Sequence, residues 1–349
     1  MSPWETLRDR HSAGMCDVLF SSYSLGDDSC PYTTDPIVKI FMVSVSTRVA
    51  GARPAYQKFL RDRGVKIREL VSYLDGMKEW ARVTEMKDTR FELMLDSGAY
   101  TAWTQNATID LDAYAAFIRE HADDLDVVVN LDVLPGRWGH MPSSSEIEKS
   151  AEAGWENWQT LTKKVPDRLR PMHVFHQGEN WSWLTRLMDH AEYFGVSPGN
   201  DRTPPEKRAW LDDVFRRVTD NAGRPLRKTH GFGITSLDAV TRFPFWSLDS
   251  LTWLFAGRYG HVCIPIAGIL AQIAVSELGT EAHNGRHIRA FSPPEYAMVK
   301  RHVEDRGFTL EKLATTPSER DLFNILAFTD LESCGTATFR PAASQQEII

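Results

Sequence analysis

Cysteine is scarce in this sequence: four residues, Cys16, Cys30, Cys263 and Cys334, with no CxxC or CxC pair. That pattern supplies neither a disulfide framework nor a ready-made zinc site. Cys263 does stand near His261, His283 and His287, so a loose metal cluster stays open as an alternative to no metal at all. Long apolar runs are missing too. No stretch reaches the roughly eighteen residues that a membrane span needs, and the opening MSPWETLRDRH lacks the basic-then-apolar order of a signal peptide. A cytoplasmic chain without a membrane partner is the expectation. Positive charge is in deficit, with 40 Lys and Arg against 47 Asp and Glu and a net charge of −7. Any contact with nucleic acid must therefore come from a local basic patch and not from the field of the whole protein. Finally, no GxGxxG follows the first apolar segment, which argues against an open dinucleotide-binding sheet.

What is present is an alternation. After a loop-rich leader (1–36), residues 37–45 (IVKIFMVSV), 67–74 (IRELVSYL), 91–96 (FELMLD) and 126–132 (DVVVNLD) read as strands. They are separated by helical stretches at 54–63, 77–85 and 110–121, the last carrying Leu111, Tyr114, Ala115 and Ile118 at helical spacing. The second half repeats the pattern. Strands are expected at 171–176, 191–196, 228–234 and 245–249, and helices at 144–164, 181–190, 204–221 and 237–242. Continuous apolar runs such as DVVVNLD suit strands buried on both faces, as in parallel sheets. Eight strand–helix units with right-handed crossovers predict an α/β fold of the (β/α)8 TIM-barrel type. One domain over 37–332 is expected, with residues 253–260 (WLFAGRYG) as a loop, an apolar run at 264–274, and closing helices at 293–306 and 319–331. The small, polar tail 333–349 is expected to be disordered.

The strand ends carry the chemistry. Asp96 ends the third strand, and Gly98 behind it allows a tight turn. Asp132 ends the fourth, Gln177-Gly178 follow the fifth, Gly195 lies at the exit of the sixth, His230-Gly231 lie in the seventh, and Asp249 ends the eighth. Barrel closure would bring these positions to one mouth, where TIM-barrel enzymes place their active sites. Asp96 alone could be a helix cap. Three carboxylates and an amide converging on one pocket are costly to bury without a purpose, and a site explains them more economically.

The ordered segments LDSGAY (95–100), LDVLP (131–135), VFHQGE (174–179), FGVSPGN (194–200), HGFGIT (230–235) and SLDS (247–250) resemble the motif series of the tRNA-guanine transglycosylase superfamily. The resemblance is to its phage and bacterial DNA branch, the 7-deazaguanine DNA transglycosylases, and covers about residues 37–260. It implies a pentosyltransferase that exchanges guanine in DNA for a free 7-deazaguanine base. By the same resemblance Asp249 is the nucleophile on the sugar C1′ and Asp96 the general acid/base that takes the incoming base's proton. Asp132 pairs with the guanine-type edge. Gln177 and the backbone at Gly195 and Val196 read the carbonyl side and the 7-substituent, and Tyr100 stacks on the heterocycle. Ser97, Gly98, Gly178, His230 and Gly231 complete the implied substrate pocket. Two carboxylates and a covalent glycosyl-enzyme are a sound way to exchange groups at an anomeric centre with retention. The family's CxCxxC zinc motif, found in bacterial tRNA-modifying members, is absent, so no cofactor is implied and DNA is favoured over tRNA. Ala99, Ser250 and the unacidic end of FGVSPGN also depart from the family pattern.

A DNA-acting member must extrude its target base or use single strands, with or without an accessory protein that opens the duplex. Arg258 is the expected phosphate ligand, with Lys207, Arg208, Arg216, Arg217, Arg224, Arg227 and Lys228 as further candidates. Three alternatives stay open: a tRNA-guanine transglycosylase, a non-catalytic nucleic-acid-binding barrel, and a retaining glycoside hydrolase using Trp103, Trp138 and Trp246 as a sugar platform. A homo-oligomer is possible on this reading.

Overall fold

The computed structural model describes residues 37–48, 53–234, 236–266, 269–278 and 287–339. The leader, His283 and residues 340–349 lie outside them. Eight parallel strands form one curled sheet: β1 Lys39–Val43, β2 Ile67–Ser72, β3 Arg90–Asp96, β4 Val127–Val128, β5 Val174–His176, β6 Tyr193–Ser197, β7 Lys228–Gly231 and β8 Ser247–Ser250. Their order is β4-β3-β2-β1-β8-β7-β6-β5. The first and last strands of the series are therefore hydrogen-bonded neighbours, with Phe41 opposite Asp249. This curled, all-parallel sheet is a half-barrel of the TIM-like kind. At its two edges one parallel bridge, Val129 with Met172, reaches across, and the Asn130 amide donates to the Met172 carbonyl at 2.9 Å.

All eight expected strands are present, most of them trimmed. β4 pairs over two residues only, because beyond Val128 the chain turns from β3 toward Met172. β7 stops at Gly231, short of 234, since Gly233 takes a positive φ of 63° and turns the chain. The helices between the strands begin where the sequence offers caps. Asp110 accepts from the Ala113 amide at 2.7 Å, and Ser143 forms a reciprocal capping box with Glu146. Apolar faces on these helices pack on the outside of the sheet. A separate inner cluster, Phe41, Leu70, Met94, Val129, Met172 and Val174, fills its concave side.

Two expectations beyond β8 are corrected. Residues 253–260 are not a loop: Thr252–Arg258 is a helix whose Trp253, Leu254, Ala256 and Gly257 are buried. Spacing of three and four between buried positions gives it one apolar face. The apolar run 264–274 is most of an antiparallel hairpin, β9 His261–Ile266 and β10 Ile269–Ala274. Helices Pro293–Asp305, Leu310–Thr315 and Pro317–Asp330 follow. The last joins the main core through Phe323, Ile325 and Phe328. The chain also stays packed past 333: Phe339 is buried against Phe215 and Phe243, and its amide donates to the Gly223 carbonyl at 2.7 Å. Its large ring supplies the apolar area that the surrounding small, polar residues lack. Among the described residues no helix is long and apolar enough to cross a membrane.

Candidate active site

Because the strands are parallel, their carboxyl ends share one end of the sheet. Side chains two residues apart face the same way, so Asp96 points to the side on which Met94 joins the inner cluster. Gly98, at φ 79°, turns the chain back so that its amide donates to Asp96 Oδ2 at 2.9 Å. A side chain there would meet Ser72 Oγ at 2.8 Å and Leu74 at 3.0 Å, so the turn needs glycine. Ser97 is buried, and its hydroxyl faces the Ala99 amide at 3.4 Å. Burial, joined by the charges of Asp132 and Asp249, lifts the Asp96 carboxyl to about 7 against the opposing hydrogen bonds of the Gly98 and Ser97 amides. Three strand ends far apart in the sequence thus act on one proton.

Asp249 is buried at the end of β8. Its Oδ1 accepts from the Gly233 amide at 2.9 Å and faces His230 Nε2 at 3.3 Å. His230 Nδ1 lies 2.6 Å from Ser247 Oγ, which also contacts the Tyr193 hydroxyl. With the proton on Nε2, the chain runs Tyr193 to Ser247 to His230 to Asp249. His230 is fully buried beneath Asp249. It is therefore corrected from a base contact to a support of the carboxylate.

Asp132 follows β4. Its Oδ2 is 3.4 Å from His176 Nε2, while its Oδ1 is buried with no hydrogen-bond partner among the described residues. His176 Nδ1 in turn lies 2.9 Å from Glu179 Oε1. Burial works against charge on this ring, but hydrogen bonds and attraction from Asp132 and Glu179 prevail and carry it to about 10. Behind it, burial pushes His173 down to about 4, and Asn130 Nδ2 faces its Nδ1 at 3.0 Å. Neither His176 nor Glu179 is picked out by the sequence reasoning, although both lie in the VFHQGE segment. Period-two alternation from Val174 on β5 is the signal that puts the His176 ring on the inner side.

Other expected pocket residues differ in what they offer. Gln177 Oε1 accepts from the Gly199 amide at 3.0 Å, tying the β5 and β6 loops together. Gly178 is exposed at φ 113°. Gly195 and Val196 are corrected: the Gly195 amide donates to the His173 carbonyl and the Val196 carbonyl accepts from Phe232, so both are spent in the sheet. A side chain at Gly195 would meet the Phe232 ring at 2.5 Å, which is why glycine stands there. Gly231 is likewise a packing glycine, with Leu248 2.6 Å from where its Cβ would lie.

Tyr100, in the short helix Ala99–Thr104, is 44% exposed and therefore not core. It forms a rim of rings with Trp103 and Trp138, the latter edge-on to both at 6.0 Å and 5.4 Å. Trp246 does not join them. It precedes β8 at the opposite end, where Lys39 and Lys228 lie over its ring.

Arg258 stands exposed at the end of its helix. There its charge is felt by Asp321 and Tyr56 on neighbouring helices. Most of the other basic candidates are engaged within the chain: Arg208 with Asp238, Arg216 with Asp213, Arg224 with Asp220, and Arg217 over Trp181. Cys263 is buried in the core, with its thiol pushed up to about 12, and no group of three or more metal-ligating residues occurs among the described residues. No protein-family model matches the chain, and no curated protein matches it at a significant level.

Proposed function

We propose that the curled sheet is a closed (β/α)8 barrel extended by the C-terminal helices, and that the chain is a pentosyltransferase. In this reading it exchanges guanine in DNA for a free 7-deazaguanine such as 7-cyano-7-deazaguanine. The bridge between Val129 and Met172 supports closure. The observation that carries the function is the meeting of Asp96, Asp132 and Asp249, whose charges converge on one carboxyl held near neutrality.

Two donors converge on Asp249 Oδ1, which leaves Oδ2 as the oxygen for attack. Asp249 Oδ2 bonds to the sugar C1′ as the C1′–N9 bond of guanine breaks, and protonated Asp96 gives its proton to the departing base. Asp96, now a carboxylate, takes the N9 proton of the incoming base. That nitrogen attacks C1′ and releases Asp249, so two inversions give net retention. A carboxyl near pH 7 suits both proton transfers. Asp132 accepts from the donor edge of the base, and the exposed ring of Tyr100 offers it a stacking face.

The test is DNA and tRNA offered side by side with labelled guanine or 7-deazaguanine, followed by nucleoside analysis. Label entering DNA, and falling by about three orders of magnitude or more in Asp249→Ala, is expected. No label in either polymer, or full exchange by Asp249→Ala, overturns the reading.

A further inference from the structure

The pocket contains a charged group for which the exchange chemistry has no step. His176 turns one ring nitrogen to Asp132 Oδ2 at 3.4 Å and the other to Glu179 Oε1 at 2.9 Å. A neutral imidazole has one N–H, so two carboxylate partners are both satisfied only by the imidazolium. Burial opposes that charge, and the paired carboxylates restore it, which keeps the ring cationic throughout the neutral range. Both nitrogens being occupied, the ring is not placed to exchange protons with a substrate. His173 behind it is kept neutral by burial and by the His176 charge.

The consequence falls on Asp132. One of its oxygens is fixed by the ring, while Oδ1 is buried without a hydrogen-bond partner among the described residues. A buried carboxylate oxygen in that condition is unfavourable unless a ligand donor completes it. We propose that His176, braced by Glu179, is a positioning residue that fixes the plane of the Asp132 carboxylate and presents Oδ1 to the donor edge of a guanine-type base. This rests on the transglycosylase reading and adds its specificity element: a base with N1–H and an exocyclic amine finds an acceptor, whereas an adenine-type base sets its N1 lone pair against the carboxylate.

The test is titration of free guanine, a 7-deazaguanine and adenine into the full chain, with thermal unfolding measured on the same samples. His176→Gln, which keeps a donor but loses the cation, is expected to weaken guanine binding about 10- to 100-fold. KM for the free base should rise by the same factor while kcat changes by less than about threefold. Glu179→Gln should fall between the wild type and His176→Gln, and it serves alone if the histidine variant does not fold. Unchanged guanine affinity in a folded His176→Gln or Glu179→Gln protein, with only the unfolding temperature lowered, overturns the proposal. Failure of the wild type to bind any guanine-type base instead removes the transglycosylase reading on which it rests.

Discussion

The two ends of the sheet carry comparable numbers of charges and arrange them in opposite ways. At the amino ends of the strands, acid and base are matched. Lys39 pairs with Glu92, and Arg68 reaches both oxygens of Glu332 at 2.7 Å from within the core. Glu332 also accepts from the Ile40 amide at 3.0 Å, which ties the C-terminal segment to β1. At the carboxyl ends, Asp96, Asp132 and Asp249 meet with His176 as the cation between Asp132 and Glu179. The first end has spent its charges on holding the chain together. The second end leaves charge unmatched, and burial together with that imbalance lifts a carboxyl toward neutrality. In TIM-like folds this division separates the stabilising face from the working face.

The largest expected effect breaks the matched end. Arg68→Met strands buried Glu332 without its cation and should destabilise the fold by about 3–5 kcal/mol. Denaturant unfolding measures it, and base exchange by the fraction that stays folded should be unchanged. If that fraction loses activity, the two ends are not functionally separate.

Asp96→Asn sharpens the comparison from the other side. The folded carboxyl titrates near 7, above the ordinary value of 3.8, so the folded state holds an extra proton between those values. Stability therefore falls as pH rises through that window, and the charged form is a burden above it. The variant should gain on the order of 1–3 kcal/mol at pH 8 after allowance for partial exposure, and nothing at pH 4. It should lose exchange activity at both. An identical stability difference at the two pH values contradicts the raised carboxyl.

The smallest effect lies at the rim. Tyr100→Ala removes a half-exposed ring and should cost about 1–2 kcal/mol in base or strand binding with little change in unfolding temperature. A destabilised protein with unaltered binding would make Tyr100 a packing residue after all.

Much of the scaffold was readable because strands and helices of this kind are written in local pattern. The runs FELMLD and DVVVNLD, and caps such as Ser143 before Glu146, announce their elements without tertiary information. The helix Thr252–Arg258 was missed because seven residues carry little periodicity and glycines stand at its carboxyl end, Gly257 and Gly260. At the site, the three aspartates were legible as strand-terminal acids. His176 and Glu179 were not, since a histidine between apolar and polar neighbours gives no sign of which carboxylates it will meet. Gly195 and Gly231 were read as ligand contacts because sequence does not separate a glycine that admits a ligand from one that admits Phe232 or Leu248.

By itself the sequence determined the order of elements and the residue type at each strand end, because apolar periodicity and turn chemistry act over a few residues. Only the tertiary structure decided which side chains face one another. It turned Asp96 from a possible cap into a carboxyl raised by burial and by two distant acids, and moved His230 beneath Asp249. Charge coupling falls off with distance in space and not along the chain, so no local pattern records it.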